Sequence, residues 1–216
     1  MQDIQFSEVD GVPTPSASPV TPPCRRHRSR HRLPDWTGPV IYRGRVNDTA
    51  VIITGVSGSG KTTIGKGLAE RLGWPYADAD DFHPPHNVHK LTHGHPLTDE
   101  DRQPWLTAMG DWLDARHAAD ESVVLSCSGL KRRYRDQLHD GRPQVHIVHL
   151  HGTVDLIAER LRHRHGHFMK AHMLEGQFSD LEDPQADEDI LTVNVDQTPE
   201  AIVSEIVSGL KLAESA

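Results

Sequence analysis

Hydrophobic and polar positions follow two alternating periods along most of the chain after residue 47. Short apolar runs rich in β-branched residues predict buried strands. Longer stretches, in which apolar residues recur every three or four positions, predict helices between them. Strands that alternate with helices are typical of a parallel sheet covered on both faces, so the pattern predicts an α/β fold. The five predicted strands span residues 50–54, 74–77, 122–127, 145–150 and 190–195.

Several predicted helices have clear start signals. Thr98 is a good N-cap, and Asp101 stands where a capping-box acid would. Pro199 is placed at the first position of the last helix. The helix after Thr98 has an apolar face formed by Trp105, Leu106, Met109, Trp112 and Leu113. The predicted helices cover residues 63–72, 85–91, 98–117, 131–138, 153–164 and 170–181, and a last one begins at 199.

Residues 1–47 differ from the rest in composition. They are rich in Pro, Ser and Arg and show no apolar period, which predicts a disordered tail. The basic run 24–32 is compatible with nucleic-acid binding, but a solvated tail is the favoured interpretation. The tail carries seven Arg and four acidic residues, whereas the whole chain has a net charge of −8. The remainder of the chain is acidic, and residues 48–213 are predicted to form its folded domain. An acidic domain argues against a nucleic-acid partner.

Cysteine content and hydropathy bear on the compartment. The 216 residues include two cysteines, Cys24 and Cys127, which are far apart and in no metal-binding pattern. We therefore expect no disulfide and a cytoplasmic protein. No apolar run approaches membrane-spanning length, and the N-terminus lacks the apolar segment of a secretory signal, so we expect no membrane partner.

A phosphate-binding motif connects the first strand to the first helix. Residues 55–62 fit the pattern G-x-x-x-x-G-K-[ST] at every fixed position. Glycines let the backbone N–H groups surround a phosphate chain, and the helix N-terminus adds its positive dipole end. We expect Lys61 to reach the outer phosphates and Thr62 to bind Mg²⁺. The predicted nucleotide-binding residues are Gly55, Val56, Ser57, Gly58, Ser59, Gly60, Lys61, Thr62 and Thr63.

Two carboxylates follow the second predicted strand. Asp78 and Asp80 are spaced by two, which would point both side chains the same way at the ligand-binding end of a parallel sheet. We interpret Asp80 as the base that accepts a proton from a substrate hydroxyl, and Asp78 as a ligand in the Mg²⁺ shell. The alternative is that either residue caps the next helix or lies solvated in a loop. His83 lies beside the pair and is expected to bind a substrate hydroxyl.

Basic residues form two further candidate groups. Arg160 and Arg164 are one helical turn apart, before a Gly- and His-containing break, and on a closing lid they would neutralise the transferred phosphoryl group. Their alternative is a solvated helix face. Four basic residues follow the third strand, where an acidic substrate would need a cation: Lys131, Arg132, Arg133 and Arg135. Which of them points inward stays open in the sequence, and Lys131 and Arg135 are taken as the substrate-binding candidates.

The other histidines do not predict a zinc site. His86, His89 and His93 fall at helical spacing, and histidines occupy every second position from 163 to 167. No Cys or carboxylate completes either set at a fixed spacing. A GTPase is disfavoured because the guanine-reading N-K-x-D motif is missing, and a motor because the third strand ends in Ser-Cys-Ser rather than in an acid.

Several stretches of the chain, including the phosphate motif and the residues around Asp80, resemble those of the gluconate kinases, a family of phosphate-loop small-molecule kinases. The resemblance covers residues 51–210. Two departures are minor: Gly129 stands where Ala is usual, and Glu175-Gly176 replaces a pair of small residues. The stretches that carry the resemblance are 55–62, 80–84 with Asn87 and Lys90, 96–102 with 104–106, 127–131 with 134–136, and 166–169 with Gln177, Phe178, Leu181 and Glu182.

The resemblance implies transfer of the γ-phosphoryl group of ATP to the 6-hydroxyl of D-gluconate, with Mg²⁺ as cofactor. It implies a three-layer nucleoside-monophosphate-kinase-like fold with a five-stranded parallel sheet in the order 2-3-1-4-5. It also implies a substrate flap at 82–105 that includes Arg102 as a substrate-binding residue, and a lid at 164–182. The loop 196–199 would lie against adenine, and family members are often homodimers.

Two rival functions remain open. Another small-acid or polyol kinase, such as a shikimate kinase, would share the Asp-x-Asp pair and the lid arginines, although the stretches 82–84 and 104–105 argue against it. A non-catalytic nucleotide switch with a basic recruiting tail is disfavoured, because a switch needs no base at an acceptor site.

Overall fold

The computed structural model describes residues 48–163 and 171–213. The predicted tail at 1–47 and the predicted lid residue Arg164 lie outside these ranges. Within them, no helix is long and apolar enough to cross a membrane.

Five parallel strands form one sheet in the order β2-β3-β1-β4-β5, as predicted. The central strand β1 pairs with β3 on one side and β4 on the other, so that Ile52 lies opposite both Leu125 and Ile147. The strand bounds are β1 Ala50–Thr54, β2 Tyr76–Asp78, β3 Val123–Ser126, β4 Val145–His151 and β5 Leu191–Asn194.

Seven helices in the described residues connect and cover the strands. They are α1 Lys61–Leu72, α2 Pro85–Thr92, α3 Asp99–Ala118, α4 Arg132–His139, α5 Val154–His163, α6 Ala171–Asp180 and α7 Pro199–Gly209. Short 3₁₀ turns at Ala79–Phe82 and Ala186–Glu188 precede α2 and β5.

The sheet is buried on both faces because successive residues of β1 point to opposite sides. Val51 and Ile53 pack in one apolar cluster with residues of α1 and α7, such as Leu68 and Ile202. Ile52 packs in a second cluster with residues of α3 and α4, such as Met109 and Leu138. The result is a three-layer α/β fold in which every residue of β1 is buried.

Two predicted element ends can be compared with the structure. The capping box at α3 is present: the Asp101 N–H donates to Thr98 Oγ1 at 3.3 Å, and the Thr98 N–H donates to Asp101 Oδ2 at 2.8 Å. Strand β2 begins at Tyr76, two residues later than predicted. The difference arises because Trp74 completes the end of α1, where its N–H donates to the Ala69 carbonyl.

Candidate active site

The phosphate loop lies between β1 and α1, and its shape depends on glycine. Gly55, Gly58 and Gly60 have φ values of 139°, 84° and 99°, which L side chains rarely adopt. At Gly55 an added Cβ would also lie 2.8 Å from the backbone oxygen of Leu150 in β4. The loop therefore keeps its curvature only with glycine at this position.

The start of α1 is suited to an anion. Gly60 caps the helix without a side-chain hydrogen bond, and the first turn contains no acid, so the positive end of the helix is not neutralised locally. Ser59 Oγ is buried and has no hydrogen-bond partner in the described structure. Lys61 Nζ lies across the loop, 2.9 Å from the Gly55 oxygen and 3.0 Å from the Val56 oxygen. These donors fit the phosphate chain of ATP.

Helix α6 contacts the phosphate loop directly. The backbone N–H of Ser57 donates to Gln177 Oε1 at 2.6 Å. The segment after α6 is also anchored, because the Glu182 N–H donates to the Leu130 oxygen at 2.8 Å. The C-terminal half of the predicted lid is thus attached both to the loop and to the end of β3.

Asp78 has two roles in the structure. Its Oδ2 lies 3.5 Å from Thr62 Oγ1 and accepts from the Tyr76 hydroxyl at 3.0 Å, while its Oδ1 accepts from the Asp80 N–H at 3.1 Å. Asp78 therefore caps the 3₁₀ turn and also faces the residue predicted to hold Mg²⁺. A hydroxyl and a carboxylate oxygen are ligands that Mg²⁺ prefers, so the pair fits this ion.

Asp80 lies on the 3₁₀ turn and is exposed. Desolvation by the surrounding protein is nevertheless the main cause that raises the pKa of Asp80. The nearby Asp78 carboxylate raises the pKa of Asp80 further, whereas His83 and Lys61 act in the opposite direction. The carboxylate is therefore close enough to the Lys61 ammonium to interact with it electrostatically. A raised pKa also makes Asp80 a better proton acceptor.

Trp105 supports this turn from α3. Its Nε1–H donates to the Ala79 oxygen at 2.6 Å, between the two carboxylates, and its indole stacks on the His83 ring with centroids 4.6 Å apart. Desolvation lowers the pKa of His83, so the ring is neutral near pH 7; Asp80 opposes this shift and Arg102 adds to it. The structure thus places His83 within electrostatic reach of both Asp80 and Arg102.

Helix α2, in the predicted flap, is held against α3 by polar contacts. Asn87 is fully buried; its Nδ2 donates to the Asp101 oxygen at 2.8 Å and lies 3.4 Å from Nδ1 of His83. Lys90 Nζ lies 2.7 Å from Asp101 Oδ1, and this hydrogen bond is the main cause that lowers the pKa of Asp101 to about 2. These contacts help to fix the position of His83 near Asp80.

A cationic cluster forms where α3 meets α4. Arg102, Lys131 and Arg133 surround Asp99, with Arg102 Nη1 at 3.8 Å and Lys131 Nζ at 4.0 Å from Asp99 Oδ1. The Tyr134 hydroxyl also donates to Asp99, and this bond is the main cause that lowers the pKa of Asp99. Asp180 at the end of α6 also lies 3.7 Å from Lys131 Nζ, so two carboxylates face three cations and one positive charge is left in excess. Arg102 and Lys131 are thereby brought together as candidate ligands of an anionic substrate.

Arg135 does not belong to that cluster, which corrects the prediction that it binds substrate. Its side chain is 1% exposed, and its Nε and Nη2 donate to the two oxygens of Glu188 at 2.8 Å and 2.9 Å. Its Nη1 donates to the Gly129 and Leu130 oxygens, both at 3.1 Å. With all three nitrogens engaged and the side chain buried, Arg135 stabilises the loop after β3 instead.

Arg160 is directed toward the end of β5. Its Nη2 donates to the Val195 oxygen at 2.6 Å, next to the loop that the family resemblance would place against adenine. The predicted partner Arg164 lies outside the described residues. A role of Arg160 at the phosphoryl group therefore stays a prediction.

Sequence reasoning assigned no role to several polar groups of the site. The Tyr76 hydroxyl joins Asp78 to Ser126 Oγ, which lies at 2.7 Å. Tyr76 stands two residues before Asp78 on the same strand, so the period of two could have placed it on the same face. Trp105 was predicted only as an apolar residue. No local pattern indicated that Gln177 would contact a loop 120 residues away.

Gly129, after β3, has a conformation that favours glycine. Its φ is 52°, and an added Cβ would lie 2.7 Å from Cγ2 of Thr54. Thr54 itself is fully buried in β1. Glycine at 129 thus leaves room for the side chain of Thr54 in this structure.

Comparison with known proteins identifies the family. The profile described as shikimate kinase matches residues 57–211. The gluconokinase of Gluconobacter oxydans is 43% identical over 157 residues, which cover 73% of this chain and 88% of that protein. The chain belongs to the gluconokinase family, within the shikimate kinase group of P-loop kinases.

Solved structures agree with the gluconokinase assignment. The gluconokinase from Sinorhizobium meliloti is 44% identical, has a TM-score of 0.69, and is matched over 76% of this chain and 92% of that one. The shikimate kinase from Aquifex aeolicus is matched over 76% of this chain and 96% of its own length, with 18% identity and a TM-score of 0.51, which shows a shared fold alone. As a member of the gluconokinase family, the chain is an ATP-dependent phosphotransferase.

Proposed function

We propose that this protein is a gluconokinase, which transfers the γ-phosphoryl group of ATP to the 6-hydroxyl of D-gluconate. The observation that carries the proposal is the arrangement around Asp80. Its carboxylate interacts electrostatically with Lys61 of the phosphate loop and with His83, and His83 also interacts with Arg102 of the cationic cluster. These interactions support a role for Asp80 as the proton acceptor, with the phosphate chain held at Lys61 and the acidic group of a hydroxy acid at Arg102.

On the nucleotide side, the N–H groups of the loop and the Lys61 ammonium would hold the phosphate chain. The Thr62 hydroxyl and the Asp78 carboxylate would hold Mg²⁺, which when bound neutralises phosphate charge. Arg160, and Arg164 with it, would add positive charge from the lid. Loop closure over the cleft would exclude water, so that the phosphoryl group reaches the acceptor rather than solvent.

On the acceptor side, the carboxylate of gluconate would lie at Arg102 and Lys131, and its far hydroxyl at Asp80. The hydroxyl oxygen forms the new bond to the γ-phosphorus as the bond to the ADP oxygen breaks, and Asp80 takes the hydroxyl proton. The neutral His83 can hydrogen-bond a neighbouring hydroxyl of the substrate. Most of the rate enhancement would come from positioning and charge neutralisation.

An acceptor screen tests the proposal. ADP release from purified protein with ATP and Mg²⁺ is measured with gluconate, with shikimate and with no acceptor. We expect a rate that depends on gluconate, and little release in the other two reactions. A faster rate with shikimate would favour the rival kinase, and equal rates in all three reactions would contradict an acceptor kinase.

A matched pair of variants tests the anion site. Lys131→Met should raise the KM for gluconate with little change in the KM for ATP, since the two sites are separate. Lys66→Met, on the exposed side of α1, serves as the control and should change neither constant. An unchanged KM for gluconate in Lys131→Met would remove Lys131 from the acceptor site.

A homodimer and a cytoplasmic location are also part of the proposal. The family resemblance supports the dimer, and sedimentation velocity would test it. The buried free thiol of Cys127 is compatible with a reducing compartment.

A further inference from the structure

A second group of potential ligands lies beside the phosphate loop, on the β4 side. His149 and His151 project from the end of β4, and Asp183 follows α6. One ligand atom from each of the three side chains lies within 4.8 Å of the others. His149 is buried, whereas His151 and Asp183 are exposed. The three residues line an open cleft of about 300 Å³, together with Val56, Thr153 and Phe178.

Thr54 sets the hydrogen position on His149. The Thr54 hydroxyl donates to the Val148 oxygen at 3.1 Å and lies 3.4 Å from Nδ1 of His149. A hydroxyl has one proton, so in the second contact it can only accept, and Nδ1 carries the ring hydrogen. Nε2 then keeps its lone pair, which is the form of histidine that binds metals. A hydroxyl that orients a ligating imidazole is a typical outer partner in metal sites.

Two imidazoles and one carboxylate favour a borderline-soft divalent ion such as Zn²⁺ over Mg²⁺ or Ca²⁺, which prefer oxygen ligands. Ligand atoms around tetrahedral Zn²⁺ lie about 3.3 Å apart, given bonds of about 2.0 Å. The present separations must therefore shorten by up to about 1.5 Å, which rotation of the two exposed side chains can supply. The cleft has room for a water as the fourth ligand.

The neighbouring charges permit a cation. Arg135 acts electrostatically on His149, but Glu188 pairs with its guanidinium in a buried two-bond contact. Asp183 contributes a negative charge. We propose that His149 Nε2, His151 and Asp183 form a binding site for Zn²⁺ or a similar transition-metal ion. Such an ion would join the end of β4 to the segment after α6, close to Val56 of the phosphate loop.

Calorimetric titration of nucleotide-free full-length protein with Zn²⁺ tests the site. His151→Gln and Asp183→Asn each remove one exposed ligand without disturbing the core, and each should weaken the affinity at least about tenfold. Thr54→Val should weaken it about 10- to 100-fold through the orientation of His149. The control is His89→Gln on α2, where His89 and His93 stack with centroids 4.2 Å apart and offer an alternative histidine pair. The control should keep wild-type affinity.

Co²⁺ provides a second readout, because its visible absorption reports four-coordinate binding. We expect that absorption in wild type and in His89→Gln, and its loss in His151→Gln. The proposal is overturned if wild type binds neither ion, if His151→Gln and Asp183→Asn bind Zn²⁺ as wild type does, or if His89→Gln alone abolishes binding.

Discussion

Replacement of Arg135 by methionine distinguishes a structural role from a substrate-binding role. Methionine keeps the unbranched stem of the side chain but removes the guanidinium group with its three donating nitrogens. Glu188, whose side chain is 3% exposed, would then be buried without its partner. Burial alone would raise the pKa of Glu188, but hydrogen bonds from Arg135 and from the Gln185 N–H outweigh it and hold that pKa below its ordinary value. The variant removes the hydrogen bonds from Arg135, which offset the burial of Glu188 more than the Gln185 N–H does.

The size of the effect follows from the contacts. Removing one partner of a buried ion pair costs about 3–5 kcal/mol, because an uncompensated charge remains. The Gly129 and Leu130 oxygens would also lose Nη1. Since small domains unfold with about 5–15 kcal/mol, the variant should fold at low temperature but with much lower stability. Arg133→Met, at an exposed position of the same helix, should change stability by less than about 1 kcal/mol.

Urea unfolding at 15 °C, with the KM for gluconate measured on the same preparations, provides the test. We expect a large loss of unfolding free energy in Arg135→Met and a KM for gluconate within about twofold of wild type, which is under 0.5 kcal/mol. The double variant Arg135→Met with Glu188→Leu should recover part of the stability, because the buried charge is gone. A tenfold higher KM with unchanged stability would refute this reasoning and return Arg135 to the substrate site.

Asp80 and the two cysteines allow three further tests. Asp80→Asn should lower kcat by about 10²- to 10⁴-fold with little change in the KM for ATP, and near-wild-type turnover would exclude Asp80 as the base. The base must be unprotonated, so activity should fall as the pH drops through the pKa of Asp80. Because that pKa is raised, the acid limb of kcat/KM for gluconate should lie above the ordinary value of 3.8. A limb at or below 3.8 would contradict the shift. Burial raises the pKa of Cys127 to about 12. In the variant Cys24→Ser, therefore, the remaining thiol should not react with a disulfide reagent at pH 8 until urea unfolds the protein. Rapid labelling of the folded variant would instead show that Cys127 is accessible.

The fold was predictable because its signals are local. Apolar runs, the phosphate motif and the Thr98 capping box each lie within a few residues, and the sheet order and family predicted from the resemblance are confirmed. The late start of β2 was missed because Gly73, in the αL conformation, ends α1, and the N–H of Trp74 completes this cap by donating to the Ala69 oxygen instead of starting a strand.

Contacts between distant segments were not predictable in the same way. Arg135 was assigned to substrate from its position after β3, but its partner Glu188 lies 53 residues later. Asp78 and Asp80 are neighbours as expected, yet the reasoning from strand period was wrong, since Asp80 lies on a 3₁₀ turn that Asp78 caps. The cluster of His149 and Asp183 was likewise invisible, because its members are far apart in sequence.

The close fit between Gly129 and Thr54 limits how far sequences of relatives can guide stabilisation of this enzyme. A consensus exchange to alanine at 129 would combine a φ of 52° with a methyl group 2.7 Å from the threonine side chain. It would also press on the side chain whose hydroxyl contacts His149. An exchange at 129 should therefore be made together with a smaller residue at 54, because the added methyl group and the Thr54 side chain would occupy the same space.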